Sequence, residues 1–331
     1  MKMETLFLGV LLAVPMAHAA EAGKSAFEFE KQSGKASFIH GDNLVTNAMP
    51  EVGMSATAAT QTQQQKAAGL SAVMVTSSGD LYESKMDQKD VEIFEKAIRD
   101  LEKTGRTATV FSSAPALLPE MEGVIAPQTV IGTDQRVRVT NTVSSPYWYS
   151  GRIAVGCTGT LITPKHVLTA GHCVSNGAGT WYYNLNYTVA QNGSYQPWGT
   201  KTWTRAITTS AWHFSADTNH DYGMIVLSAP AHGGNSGWGV YTGGTHRISG
   251  YPGDQSFGTM WTAAGGVWTS GSYRLCYTID TFNGQSGSGI ADGGGLYARG
   301  IHTTGSPTQN CGTRITSSVY NTLQGWIATY P

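Results

Sequence analysis

At 331 residues the chain is long enough for one large domain or two average ones, so length alone decides little. A formal net charge of −1 supplies no excess of cations to attract a polyanion, and a nucleic-acid partner is not expected. Beyond the first twenty residues no stretch has the roughly 18 consecutive apolar residues of a membrane helix, so no membrane association is expected once the leader is cut.

The chain opens with a short basic start at Lys2, the nearly unbroken apolar run Leu6 to Val14, and the small-residue pattern Ala17-His18-Ala19. These are the three parts of a secretory signal peptide over residues 1–19, too short to anchor stably in a bilayer. Export makes the four cysteines, Cys157, Cys173, Cys276 and Cys311, disulfide candidates; none forms a C-x-x-C pair or joins a histidine cluster at zinc spacing. Three pairings are open to them, and spacing does not choose. No metal site or cofactor is expected.

Residues 20–129 are charged, poor in aromatics and free of cysteine. Within them Asp87–Lys103 carries Val91, Phe94, Ile98 and Leu101 at spacings of three and four, which predicts an amphipathic helix. Prolines from Pro115 to Pro127 punctuate the end of this stretch, which reads as a pro-region with its boundary between 122 and 129. From about Val130 the texture changes. All nine tryptophans lie in 130–331, glycine is abundant, and short β-prone runs such as Arg152–Val155, Thr158–Leu161, Met224–Leu227 and Leu296–Ile301 alternate with turn residues. That pattern predicts an all-β domain. Val319, Leu323, Trp326 and Ile327 then form one apolar stripe after Ser317 and Ser318, predicting a capped C-terminal helix.

Three short strings carry chemistry. In Leu168-Thr169-Ala170-Gly171-His172-Cys173, His172 is a candidate general base, because a serine hydroxyl is a weak nucleophile until a neutral imidazole takes its proton. In Asn219-His220-Asp221-Tyr222-Gly223, Asp221 precedes an apolar strand, where a carboxylate needs a hydrogen-bond partner; orienting an imidazole would provide one. His220 is read as structural. In Asn283-Gly284-Gln285-Ser286-Gly287, glycines flank Ser286 and allow the backbone N–H groups of Gly284 and Ser286 to converge on an oxyanion.

The Thr-Ala-Gly-His-Cys string, and the order His172, Asp221, Ser286, resemble the chymotrypsin-like serine proteases. That resemblance implies two antiparallel Greek-key β-barrels with the triad at their junction. It also implies that Cys157 closes a loop onto Cys173, with Cys276 and Cys311 as the second pair. Val130-Ile131-Gly132-Thr133-Asp134, Gly250-Tyr251-Pro252-Gly253-Asp254, Asp280-Thr281, His302-Thr303 and Gly312-Thr313-Arg314 are similar to the bacterial glutamyl endopeptidase branch. The branch implies that His302 and Thr281 bind the substrate glutamate, through an imidazole N–H, with added charge if protonated, and a hydroxyl. Asp280, six residues before Ser286, stands where trypsin carries the acid that selects Lys or Arg; in the glutamyl branch it is read as turned away or otherwise paired. Gln285 and Gly289 depart from the wider family's Asp and Pro.

Composition gives a separate clue. From Gly123 to Pro331 all six acidic residues are Asp and none is Glu, a chance of roughly 1 in 60 at even usage. Ten glutamates lie between residues 20 and 122. A protease that cuts after Glu would spare a mature domain so composed and digest its pro-region, although a low-charge β protein could show the same scarcity. Ten Lys and Arg residues remain in 130–331, which disfavours self-sparing of the trypsin kind. The sequence therefore predicts a secreted serine endopeptidase acting on protein or peptide substrates, with its own pro-region as intramolecular inhibitor or chaperone. The rival readings are cleavage after Lys or Arg through Asp280, and an inactive homologue serving as a binding module.

Overall fold

The computed structural model describes residues 27–44, 61–104 and 130–331. The leader at 1–19 and the boundary at 122–129 lie outside these residues.

Two sheets dominate. The second is the simpler. Its strands run in the order Gly237–Trp238, Tyr297–Gly305, Gly289–Asp292, Thr245–Gly250, Met260–Ser270, Arg274–Tyr277 and Asn310–Arg314. The last strand pairs back onto Tyr297–Gly305, which closes the sheet into a barrel. Ile248, Leu275, Tyr277, Ile279 and Ile290 fill its interior.

In the first barrel the strands Trp203–Thr209, Gly223–Leu227, His166–Thr169, Cys157–Leu161, Ser150–Ile153, Tyr187–Val189 and Thr200–Lys201 follow one another. Thr202 joins the last of these directly to the first, so the sheet curls round on itself. The two β-barrels and the C-terminal helix agree with the chymotrypsin-like architecture expected from the sequence.

Upstream residues extend the first sheet. Ala72–Thr76 pairs antiparallel with Trp203–Thr209 in unbroken register, from Ala72 opposite Thr209 to Thr76 opposite Arg205. Asp80–Ser84 and Glu30–Lys35 add two more strands outside it. The run Ala72-Val73-Met74-Val75 is buried throughout and shares one core with Ile153, Leu161, Val167, Ile207 and Ile225 of the barrel. Apolar periodicity announces only the helix of this segment, Gln88–Lys103, which is closed at its start by a reciprocal capping box between Asp87 and Asp90. Part of the segment read as a pro-region is thus woven into the sheet.

The C-terminal helix spans Ser317–Thr329 and buries Val319, Leu323 and Trp326. Its cap is Thr316, one residue before the predicted serines: Thr316 Oγ1 accepts from Val319 N. Gly325 is required there, since a Cβ would lie 2.3 Å from the ring of Phe27. Trp326 stacks on Tyr222, the neighbour of Asp221, at 5.6 Å between ring centroids.

Candidate active site

The histidine string follows the strand His166–Thr169 into a single 3-10 turn, Gly171–Cys173. A Cβ on Gly171 would meet the Trp212 indole at 2.8 Å, so glycine lets the turn press against that ring. The Cys157–Cys173 disulfide pins the turn's end to the neighbouring strand. His172 is buried, with Nδ1 2.8 Å from Asp221 Oδ2, and its own backbone N–H donates to Asp221 Oδ1 at 2.9 Å. Both carboxylate oxygens are thus engaged by one residue. This fixes a tautomer in which Nδ1–H faces Asp221 and Nε2, which has no partner in its buried position, is left to accept a proton.

Asp221 ends the 3-10 turn Thr218–His220 and is fully buried ahead of Gly223–Leu227. Its carbonyl accepts from Thr313 Oγ1 of the other barrel at 2.8 Å. His220 has its Nε2 3.1 Å from Gln61 Nε2, in the upstream segment.

The serine loop is wedged between the barrels. Ser286 O accepts from Thr158 N at 2.8 Å and lies 3.6 Å from Cys173 Sγ, so the loop backs onto the disulfide that fixes His172. Two glycines make the close approach possible. Gly284 has φ +97° with Tyr251 O 2.5 Å from where a Cβ would be, and Gly287 has φ +84° with Thr169 Oγ1 at 2.1 Å. Gln285 uses Oε1 to accept from Phe282 N, a local brace across the turn. Thr158, which no sequence motif singles out, ties three parts together: its hydroxyl donates to Gly284 O and accepts from Tyr251 N.

The strand Tyr297–Gly305 runs beside this loop. Gly287 N donates to His302 O, and His302 N to Ser288 O. The His302 ring is fully buried, with Nδ1 2.6 Å from the Tyr277 hydroxyl and Nε2 without a partner. Among the described residues the Tyr277 hydroxyl has no other hydrogen-bond partner, so we assign its O–H as donor to Nδ1, which leaves the ring's own hydrogen on Nε2. Burial first, then the charges of His172 and Arg274, push the His302 pKa down to about 3. Burial thus favours the neutral form of this imidazole in the free protein. Thr281 Oγ1 is likewise buried and unpartnered.

Asp280 is spent elsewhere. It is 2% exposed, and its two oxygens accept from Ile131 N and Gln135 N, each at 2.7 Å. The start of the β domain is thereby tied beneath the serine loop. Nearby, Arg136 forms paired hydrogen bonds with Asp134 and Asp254, and its guanidinium lies 5.8 Å from the Phe282 ring. These partners are 118 to 149 residues away in sequence from the groups they hold, apart from Asp134, and no local signal announces them. Cys276 and Cys311 are joined, as the resemblance implied.

Comparison with known proteins agrees with this geometry. The Trypsin family model matches residues 135–327. A glutamyl endopeptidase of Bacillus licheniformis is 39% identical over 220 residues, 60% of this chain and 69% of that protein. A Bacillus subtilis protein described as an extracellular metalloprotease is 35% identical over 245 residues, 68% of this chain and 78% of that one. Here, one group of three His, Cys, Asp or Glu side chains among the described residues lies close enough to share an ion: Cys157, His172 and Cys173. Its two sulfurs are bonded to each other, leaving one imidazole. A solved Glu endopeptidase superposes with a TM-score of 0.57 at 32% identity, covering 60% of this chain and 99% of that one. With more than half its length matched and its two barrels meeting at this site, the chain belongs to the trypsin family of serine endopeptidases.

Proposed function

We propose that this protease is secreted and cuts peptide bonds after glutamate. Ser286 Oγ attacks the carbonyl carbon of that residue while His172 Nε2 takes its proton and Asp221 holds the imidazole in place. The N–H groups of Gly284 and Ser286 stabilise the oxyanion. Collapse expels the amine, which receives the proton from His172, and water repeats the sequence on the acyl-enzyme to release the acid and free Ser286.

The observation that carries the glutamate reading is the pair of buried, unpartnered groups Thr281 Oγ1 and His302 Nε2 on the segments flanking Ser286. A buried donor left unmade is costly, and a carboxylate arriving between the two satisfies both. Occupation of Asp280 by two backbone N–H groups removes the acid that cleavage after Lys or Arg would need. The absence of Glu from 123–331 supports the same specificity, and the relative's designation as a glutamyl endopeptidase is consistent with it. The leader composition at 1–19 supports export. Residues 20–129 act as a pro-region that assists folding or restrains the enzyme, and 130–331 is the working domain; a solved relative matched almost completely by 60% of this chain supports that division.

Peptides differing only at the residue before the cut test the specificity. Glu should exceed Gln, Ala and Arg by at least tenfold in kcat/KM, about 1.4 kcal/mol of transition-state binding. Preference for Arg or Lys would return the pocket to Asp280.

A further inference from the structure

A hydrogen bond at one nitrogen does not aim an imidazole. Asp221 engages His172 at Nδ1 and at the backbone N–H, and Nε2 has no partner in its buried position. A ring held in this way can still tilt about the Nδ1 bond, whereas proton transfer at Nε2 needs one fixed line of approach. The tilt is left to packing.

Trp212 supplies that packing. Its indole is fully buried and meets the His172 ring edge-on, with centroids 5.9 Å apart and planes at 63°. The indole is itself tethered. Its Nε1 donates to Ser175 O at 3.0 Å, two residues beyond Cys173. The next side chain, His213, has Nδ1 2.6 Å from Ser175 Oγ. The short helix Ser210–Ser215, which carries Trp212 and His213, is thus laced to the chain that leaves the His172 turn. Glycine makes room for the ring at two places: a Cβ on Gly171 would lie 2.8 Å from the indole, and one on Gly177 3.3 Å from it. Thr209 then joins the indole to the acid. Its Oγ1 accepts from Trp212 N at 3.0 Å and donates to His220 O at 2.9 Å, one residue before Asp221. The ring that flanks the imidazole and the carboxylate that bonds it are therefore referenced to one buried hydroxyl.

We propose, resting on the assignment of His172, Asp221 and Ser286 as the triad, that Trp212 is a positioning residue: its tethered indole fixes the tilt of the His172 imidazole, so that Nε2 stays aimed at Ser286 Oγ while Asp221 holds Nδ1–H. A rigid ring with its own hydrogen-bond anchor suits this task. A smaller aliphatic side chain in the same place leaves the imidazole room to swing.

Trp212→Leu and Trp212→Phe, made in the full chain, test it, with rates divided by the concentration of active sites titrated to completion with a serine-directed phosphonate. Trp212→Leu should lower kcat per site by about tenfold to a hundredfold and leave KM within about threefold, the signature of misplaced reacting groups. Trp212→Phe keeps an aromatic face without the N–H and should recover most of the loss. The His172 Nδ1 proton should give one sharp downfield resonance in the unmodified enzyme and in Trp212→Phe, and a broadened one in Trp212→Leu. Fewer active sites with unchanged kcat per site would make Trp212 a core residue only and overturn the proposal. Equal losses in the two variants would overturn it as well. Should Trp212→Leu not fold, cross-relaxation between the ring protons of His172 and Trp212 in the unmodified enzyme decides: one imidazole orientation against the indole is expected, and averaging over several overturns the proposal. An unmodified enzyme that the phosphonate does not label at Ser286 would remove the triad itself, a failure visible before any substitution is made.

Discussion

The two barrels solve the problem of sheet edges differently. The second closes on itself, with Asn310–Arg314 returning to Tyr297–Gly305; its closed circuit lies within residues 237–314, and the short strand Val137–Val139 adds alongside Met260–Ser270. The first leaves Trp203–Thr209 with one side open and fills it with Ala72–Thr76, which is 127 or more residues upstream. His172 and Asp221 belong to the first barrel; Ser286, Thr281 and His302 belong to the second. The proposed acid–base pair is therefore built on the sheet that relies on the upstream segment, and the proposed nucleophile and specificity groups on the sheet that does not. Upstream residues reach the acid's own loop: Gln61 meets His220 and the Tyr273 hydroxyl, and Gly69 leaves room for the His220 ring, which a Cβ would approach to 2.2 Å.

Breaking the strand addition should have the largest effect. Val75→Pro places a ring opposite Ala206 in the middle of the ladder and should cost about 3 kcal/mol or more of pairing. The yield of soluble, active enzyme from the full chain should drop at least tenfold, measured by active-site titration against total protein. An unchanged yield would mean the first barrel forms without its added strand.

The disulfides should separate stability from activity. Loop-closure entropy gives about 3 kcal/mol for the 16-residue span of Cys157–Cys173 and about 4 kcal/mol for the 35-residue span of Cys276–Cys311. Replacing each pair by alanine should lower stability in denaturant titrations, the longer span by more. Activity at 25 °C should follow the reverse order, because only the shorter bridge holds the His172 turn and backs the serine loop. Larger kinetic damage from the second bridge would break the assignment of roles to barrels.

Tyr277→Phe should have the smallest effect. It removes the hydroxyl that orients His302 and leaves the ring's packing, so Nδ1 loses its donor and the tautomer is no longer fixed. The Glu/Gln ratio should fall by about threefold to tenfold, the weight of a single hydrogen bond of roughly 1 kcal/mol, while kcat/KM on Ala peptides changes less. Equal change on both substrates would place Tyr277 in the fold alone.

The proposed triad is legible in the sequence because each member sits in a local string whose order along the chain excludes other hydrolase arrangements. Both long helices are legible through their apolar stripes. The added strand was hidden: Ala72-Val73-Met74-Val75 is too short to carry a periodic pattern, is buried on both faces, and is embedded in polar surroundings that suggest no core. Tyr277 and the partners of Asp280 were hidden for another reason. Their meaning comes from strand register and long-range contact, and no local rule encodes a pairing between segments so far apart.

The strand addition also bears on how the enzyme behaves in solution. If the proposed maturation removes residues 72–76, Trp203–Thr209 presents a row of open N–H and C=O groups along a β-prone stretch whose single charged residue is Arg205. Bare edges of this kind pair with whatever strand is available, including the same edge of another molecule. Such removal would trade a private partner for a public one, with Arg205 as the edge's single charge against pairing with another copy.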